Sequence, residues 1–175
     1  MNRESTRPIG LYLHIPFCRS KCPYCDFCSY PRPTAERMEA YTHELARRIR
    51  EAGKAYGADF HREDGTTSRI SVDTVYFGGG TPSFFGADGM AVILATIRKA
   101  FRVRADAEIT FEANPDSITP KLLRKLRGEG FNRVSLGVQC SDNDILAAIG
   151  RPHDYEEAVA AVKMIRKAGF KNLSL

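Results

Sequence analysis

Four cysteines, Cys18, Cys22, Cys25 and Cys28, share one short stretch as C-x3-C-x2-C-x2-C. Thiolates packed this densely repel one another unless a soft cation shares their charge, so the spacing asks for zinc or an iron–sulfur cluster. Structural zinc usually takes two separated pairs, each gripping the ion from its own turn. Four thiols on one segment better suit an iron–sulfur cube wrapped by a single loop, although the ferredoxin run C-x2-C-x2-C-x3-C is spaced differently. Zinc and unliganded thiols stay open as alternatives. A disulfide framework is a poor reading, because residues 1–8 are too polar for a signal peptide that would lead to an oxidising compartment. The fifth cysteine, Cys140, reads as a small buried residue at a strand end.

The elements that must position this loop follow from punctuation and periodicity. Residues 1–9 read as a tail. Leu11 to Ile15 is an apolar run stopped by Pro16, a buried strand that delivers the cysteines. Thr34 caps a helix running to about Ala55, with Met38, Tyr41, Leu45, Ile49 and Ala52 on one apolar stripe. Gly57 to Ser71 reads as a surface loop. A second strand, Val72 to Phe77, ends in Gly78-Gly79-Gly80-Thr81-Pro82-Ser83, and a helix follows near Asp88 to Phe101. The third strand is Glu108 to Ala113. Thr119-Pro120 then starts a helix that stops at Gly130. A fourth strand spans Arg133 to Gln139. A short helix lies around Asp142 to Ile149, and a longer one from Tyr155 to Ala168 is capped by Asp154 with Glu157.

LRGEGFNRVSL from Leu126 and IRKAGFKNLSL from Ile165 match each other: a helix end, a glycine stop, then a strand. They are successive βα units of one parallel sheet. The expected fold is α/β, a barrel-like parallel sheet with the site built by the loops after the strands. Those loops carry the cysteines, the glycine run, Glu112 with Asn114, and Gln139, a convergence suited to a polar zwitterion. Taken singly the signals are weaker. The glycine run is neither G-x-G-x-x-G nor a P-loop and serves equally as a tight turn. Glu112 reads either as a solvated strand end or as an acceptor, and Arg151 either as a surface residue or as a fork for a carboxylate.

C-x3-C-x2-C after a short strand, with Tyr24 just before the last cysteine, resembles the radical S-adenosylmethionine (SAM) enzymes. The wider wording, HIPFC with KCPYCDF, is similar to the oxygen-independent coproporphyrinogen III oxidase family and its heme-chaperone branch. The resemblance implies a [4Fe–4S] cluster on Cys18, Cys22 and Cys25, whose open iron chelates the amino and carboxylate groups of SAM. One electron then cleaves SAM to a 5'-deoxyadenosyl radical. It implies SAM contacts from Gly79, Gly80 and Thr81 to the amino group, from Glu112 to ribose or amino group, and from Gln139 and Arg151 to ribose and carboxylate. Tyr12 matches a further SAM contact, and Tyr24 would lie against the adenine. His14 either bonds within the site or packs; His153 resembles a histidine of the chaperone branch.

The resemblance runs from about Gly10 to Leu175 and covers only the first half of a typical member. Residues 10–175 are therefore expected to be the N-terminal portion of a six-stranded partial barrel, cut after its fifth strand. Phe27 stands where the oxidase branch has a further cysteine, and only 17 residues precede Cys18; both favour the chaperone branch. The leading expectation is a SAM- and cluster-binding protein of heme or porphyrin metabolism. Its partners would be small molecules, SAM and heme or porphyrin, with an electron donor such as flavodoxin or ferredoxin. The rivals are a genuine oxidase, converting two propionates of coproporphyrinogen III to vinyl groups, and a zinc-holding structural module. A net charge of +5 without a basic block argues against nucleic acid. No apolar run approaches a membrane span, and a cluster loop without an export signal points to the cytoplasm.

Overall fold

The structure, a computed structural model, describes residues 5–57, 60–61 and 67–175. β1 (Ser5–Ile15) leads into the two-residue β2 (Phe17–Cys18); after the cysteine loop come β3 (Tyr30–Pro31) and α1 (Ala35–Tyr56). β4 (Phe60–His61) and β5 (Thr67–Gly79) precede α2 (Pro82–Phe85) and α3 (Ala87–Ala100). β6 (Val103–Ala113), α4 (Pro120–Glu129), β7 (Arg133–Leu136), α5 (Asn143–Ala148), α6 (Tyr155–Lys167) and β8 (Asn172–Ser174) complete the chain. β1, β5, β6, β7 and β8 lie side by side in sequence order and all parallel, with β4 antiparallel on β5. Each parallel neighbour pair of this sheet is bridged by a helix, as such a crossover requires.

Near their C-terminal ends the strands alternate in character. Leu13, Ile15, Val75, Phe77, Ile109, Phe111, Val134 and Leu136 are buried beneath the helices, against Ile49, Ile93, Ile97, Leu123, Leu126 and Ile165. A side chain such as Phe77 gains about 1.5–3 kcal/mol from that burial. The opposite face carries Tyr12, Tyr76, Thr110 and Arg133 in register across four strands. Parallel sheets covered on both faces lack such alternation. Here one face is a polar wall, where Arg133 donates to Ser174 Oγ at 3.0 Å and Asn172 to Glu108 Oε2 at 3.0 Å.

The caps read from sequence hold. Thr34 Oγ1 accepts from the Arg37 amide, Thr119 Oγ1 from Leu122, and Asp154 and Glu157 exchange side-chain-to-backbone bonds at 2.7 and 3.1 Å. Several boundaries move. β1 begins at Ser5 and β5 at Thr67, so residues 5–9 are strand rather than tail, and 67–71 are strand rather than loop. The ladder between these segments, Ser5 with Ser68 onward, supplies their hydrogen bonds without any apolar run. Residues 1–4, 58–59 and 62–66 of the expected tail and loop lie outside the described residues. β7 ends at Leu136 rather than Gln139, because Gly137 still donates to Ala113 while Val138 and Cys140 turn back onto Leu136 and Val138. Cys140 is consequently a half-exposed loop residue, neither buried nor on a strand. On α1 the buried face is Thr42, Ala46 and Ile49, with most of the expected stripe flanking it. Small residues face inward because α1 crosses α3 closely: a Cβ on Gly53 would stand 2.6 Å from that of Ala100.

Candidate functional site: a cysteine loop at the strand ends

The cysteine loop is closed at its base. β2 and β3 pair in parallel, Tyr30 donating to the Pro16 carbonyl and Arg32 to that of Cys18. His14 Nε2 donates to the Cys28 carbonyl at 2.8 Å, its Nδ1 accepting from Tyr12 Oη at 3.2 Å. Lys21 reaches the Phe27 carbonyl at 3.3 Å, and Arg19 pairs with Asp116 at 3.1 Å. A loop tied at so many points keeps its thiols near one place at reduced entropic cost.

Glycines seat the neighbouring strand end against this loop. Gly80 and Thr81 donate to the Ile15 and Phe17 carbonyls at 2.8 Å each, and a Cβ on Gly80 would meet Phe17 O at 2.7 Å. Gly79 has φ +112, and a Cβ there would strike the His14 ring at 2.6 Å. The run is therefore required by close approach as well as by turning.

A cavity of about 350 Å³ opens over these ends. Cys18, Cys22, Cys25, Tyr24, Gly79, Gly80, Thr81, Glu112, Gln139 and Arg151 all line it. Of the three expected cluster ligands and the expected SAM contacts, Tyr12 alone is outside the lining. It stacks on Tyr76 with centroids 6.1 Å apart and acts on the loop through His14. Cys28 is exposed and also outside the lining. His153 lies under the site, 4% exposed, with Nε2 donating to the Val138 carbonyl at 3.2 Å. Sequence reading missed Tyr76, Lys21, Ser135 and Gly137; the in-register pairing of Tyr76 with Tyr12 is visible only once strands are aligned.

Glu112 accepts from Tyr76 Oη at 2.8 Å and from the Gly79 amide at 3.0 Å. Burial, and then the Glu112 carboxylate, hold the Tyr76 phenol above its ordinary pKa, so it stays a donor. Tyr24 is also raised, by burial first, with the Arg151 guanidinium working against that shift. Arg151 Nη1 contacts Cys22 Sγ at 3.7 Å and Tyr24 Oη at 3.3 Å, while Nη2 donates to Asn114 Oδ1 at 2.9 Å and the Gly137 carbonyl at 2.8 Å. Its Nε is buried with no hydrogen-bond partner among the described residues. Gln139 sits at φ +70, a left-handed turn that costs a non-glycine residue about 1–2 kcal/mol and folds the chain after β7 over the cavity.

Among the described residues no three His, Cys, Asp or Glu side chains stand together as a cage for a single ion. Soft thiols of this kind are the donors that zinc or an iron–sulfur cluster would take. Three cysteines line one cavity, and the sulfurs of two of them, Cys18 and Cys22, accept hydrogen bonds from Thr81 and Arg151.

A parallel βα sheet with a cysteine loop after its first strand and a glycine run after the next defines a class. The Radical SAM superfamily model matches residues 12–175, and the chain belongs to that superfamily. Its relatives include the heme chaperone HemW of Haemophilus influenzae, 33% identical over 96% of this chain and 42% of the relative. The oxygen-independent coproporphyrinogen III oxidase of Bradyrhizobium diazoefficiens is 35% identical over 94% of this chain and 34% of that protein. The chain thus spans well under half the length of these relatives. The solved coproporphyrinogen III oxidase of Escherichia coli, described as a radical SAM enzyme, superposes with a TM-score of 0.81 at 30% identity, over 95% of this chain and 36% of that one. Native anSMEcpe with bound AdoMet shares the fold at TM-score 0.62 and 16% identity, over 94% of this chain and 42% of its own.

Proposed function

We propose that Cys18, Cys22 and Cys25 hold a [4Fe–4S] cluster and that the cavity beside them receives SAM, in a protein that handles heme as the chaperone relatives are named for doing. The observation that carries this reading is the shared lining: all three cysteines and every expected SAM contact but Tyr12 face one cavity. When bound, the cluster and SAM supply one-electron chemistry. The chain's own residues bind and orient. Glu112, already aimed by Tyr76 and Gly79, accepts from the ligand's donors. Arg151 offers Nη1 to a carboxylate, which takes the place of the Tyr24 and Cys22 contacts there, while Nη2 stays on Asn114 and Gly137. Tyr24 is half-exposed beside the cavity and gives a flat face to a purine.

The oxidase reading keeps one specific support, the fit to the solved Escherichia coli oxidase. Phe27, 66% exposed at the cavity's rim, has no thiol to offer and weighs toward the chaperone. Anaerobic reconstitution followed by electron paramagnetic resonance with and without SAM tests the site. About four irons per chain and a SAM-dependent change of signal are expected, and an unchanged spectrum at saturating SAM overturns it. In a protein of the relatives' length that carries these residues, stoichiometric heme binding without carbon dioxide release from coproporphyrinogen III is expected; catalytic formation of protoporphyrinogen IX would restore the oxidase.

A further inference from the structure

Asn114 lies one residue beyond β6 with its backbone fixed at both ends. Its amide donates to Ser83 Oγ and Ser117 Oγ at 3.3 and 3.2 Å, and its carbonyl accepts from Ser117 Oγ at 2.7 Å. The side chain leaving this fixed point spans two groups of the site. Oδ1 accepts from Arg151 Nη2 at 2.9 Å, and Nδ2 donates to Thr81 Oγ1 at 3.4 Å. Gly137 leaves room for it, since a Cβ there would stand 3.0 Å from Oδ1.

The direction of these bonds is set by chemistry. A guanidinium has five donors and no acceptor, so the amide must turn its oxygen to Arg151 and its NH2 to Thr81. Thr81 Oγ1 is thereby made an acceptor, and its own proton is left for Cys18 Sγ, 3.4 Å away. Resting on the cluster assignment above, we propose that Asn114 is a positioning residue: its amide, oriented by Arg151, aims the Thr81 hydroxyl at the Cys18 thiolate and so sets the reduction potential of the cluster. A hydrogen bond to a ligating sulfur stabilises the more negative, reduced state and raises that potential.

Asparagine is also a favoured N-cap, and Asn114 precedes the 3-10 turn Pro115–Ser117. Asn114→Asp separates the two roles. Aspartate caps equally well but has no donor, so it accepts the Thr81 proton and takes it from Cys18. Its added charge lowers the potential too, and a cycle with Thr81→Val removes that confusion: charge acts in either background, whereas loss of the hydroxyl bond is felt once.

The test is a reductive titration of the reconstituted full chain, followed by electron paramagnetic resonance. Thr81→Val should lower the ratio of reduced to oxidised cluster at fixed potential about tenfold, a shift of about 59 mV, and Thr81→Ser should restore it. Asn114→Asp should lower the potential by clearly more in the otherwise wild-type chain than in the Thr81→Val background. Equal shifts in both backgrounds overturn the proposal. So does an unmoved potential in Thr81→Val, which decides the matter even if Asn114→Asp takes up no iron. A wild-type chain that takes up no iron overturns the cluster assignment, and this inference with it; an iron-loaded wild type with additive shifts overturns this inference alone.

Discussion

Tyr76 and Glu112 meet side by side from neighbouring strands, the phenol donating to Oε1 at 2.8 Å. With the Gly79 amide on Oε2, the carboxylate is held before any ligand arrives. Preorganisation of this kind lowers the ordering cost of binding. Tyr76→Phe keeps the ring on Tyr12 and removes the bond. The variant should fold and load iron as the wild type does, and calorimetry should show SAM affinity reduced about three- to tenfold. Equal affinity would mean that Gly79 alone sets Glu112.

The cysteines should divide sharply. Cys18→Ala, Cys22→Ala and Cys25→Ala each remove a thiolate that faces the cavity, and iron content after anaerobic reconstitution should collapse. Cys28→Ala and Cys140→Ala should leave iron near the wild-type level, because neither lines the cavity. Equal bleaching in Cys28→Ala would replace the open-iron cluster with a four-thiolate site.

Two glycines should respond in opposite senses. A Cβ on Gly80 would meet Phe17 O, Phe17 N and Ile15 O between 2.7 and 2.9 Å, all backbone atoms that cannot swing away. Gly80→Ala should therefore cost about 1–3 kcal/mol in denaturant unfolding and reduce iron uptake, since β2 carries Cys18. Gly128 lies inside α4 with open space around its Cβ position. Gly128→Ala should gain about 0.5–1 kcal/mol without touching iron uptake. A Gly80→Ala protein as stable as the wild type would show that the glycine loop is looser than these contacts imply.

Much of the fold was legible because local chemistry and global packing agree. Thr34, Thr119 and Asp154 bond the first turns of their helices as capping residues do, and the glycine stop at Gly130 takes φ +98. The site was legible as a list of strand-end residues. What stayed hidden needs register. Ser5 to Ile9 and Thr67 to Ser71 are strands because they face each other, which no apolar pattern announces. The end of β7 at Leu136 depends on Gly137 turning toward Arg151, and Arg151 comes from a break between α5 and α6 that reads equally well as surface. Asn114 was legible as an amide at a strand end beside Glu112, but its side-chain partners lie 33 and 37 positions away in sequence.

His153 gives the last prediction, one of pH. It is buried between the chain after β7 and the start of α6; desolvation lowers its pKa below the ordinary 6.5, and the Val138 carbonyl only partly opposes that. The neutral ring donates from Nε2, leaving Nδ1 buried without a partner among the described residues. The unfolded chain binds the proton more readily than the folded one, so the sign is fixed. The contribution of His153 is fully present above pH 6.5 and is lost as pH falls from there toward the lowered folded value, at no more than about 1.4 kcal/mol per pH unit. His153→Gln keeps a donor for Val138 but does not titrate. Denaturant unfolding at pH 7.5 and 5.5 should show the wild type losing more stability than His153→Gln across this interval. Identical losses would mean that the proton is accommodated in the fold, with Asp116 and Glu157, whose charges already favour it, supplying the compensation.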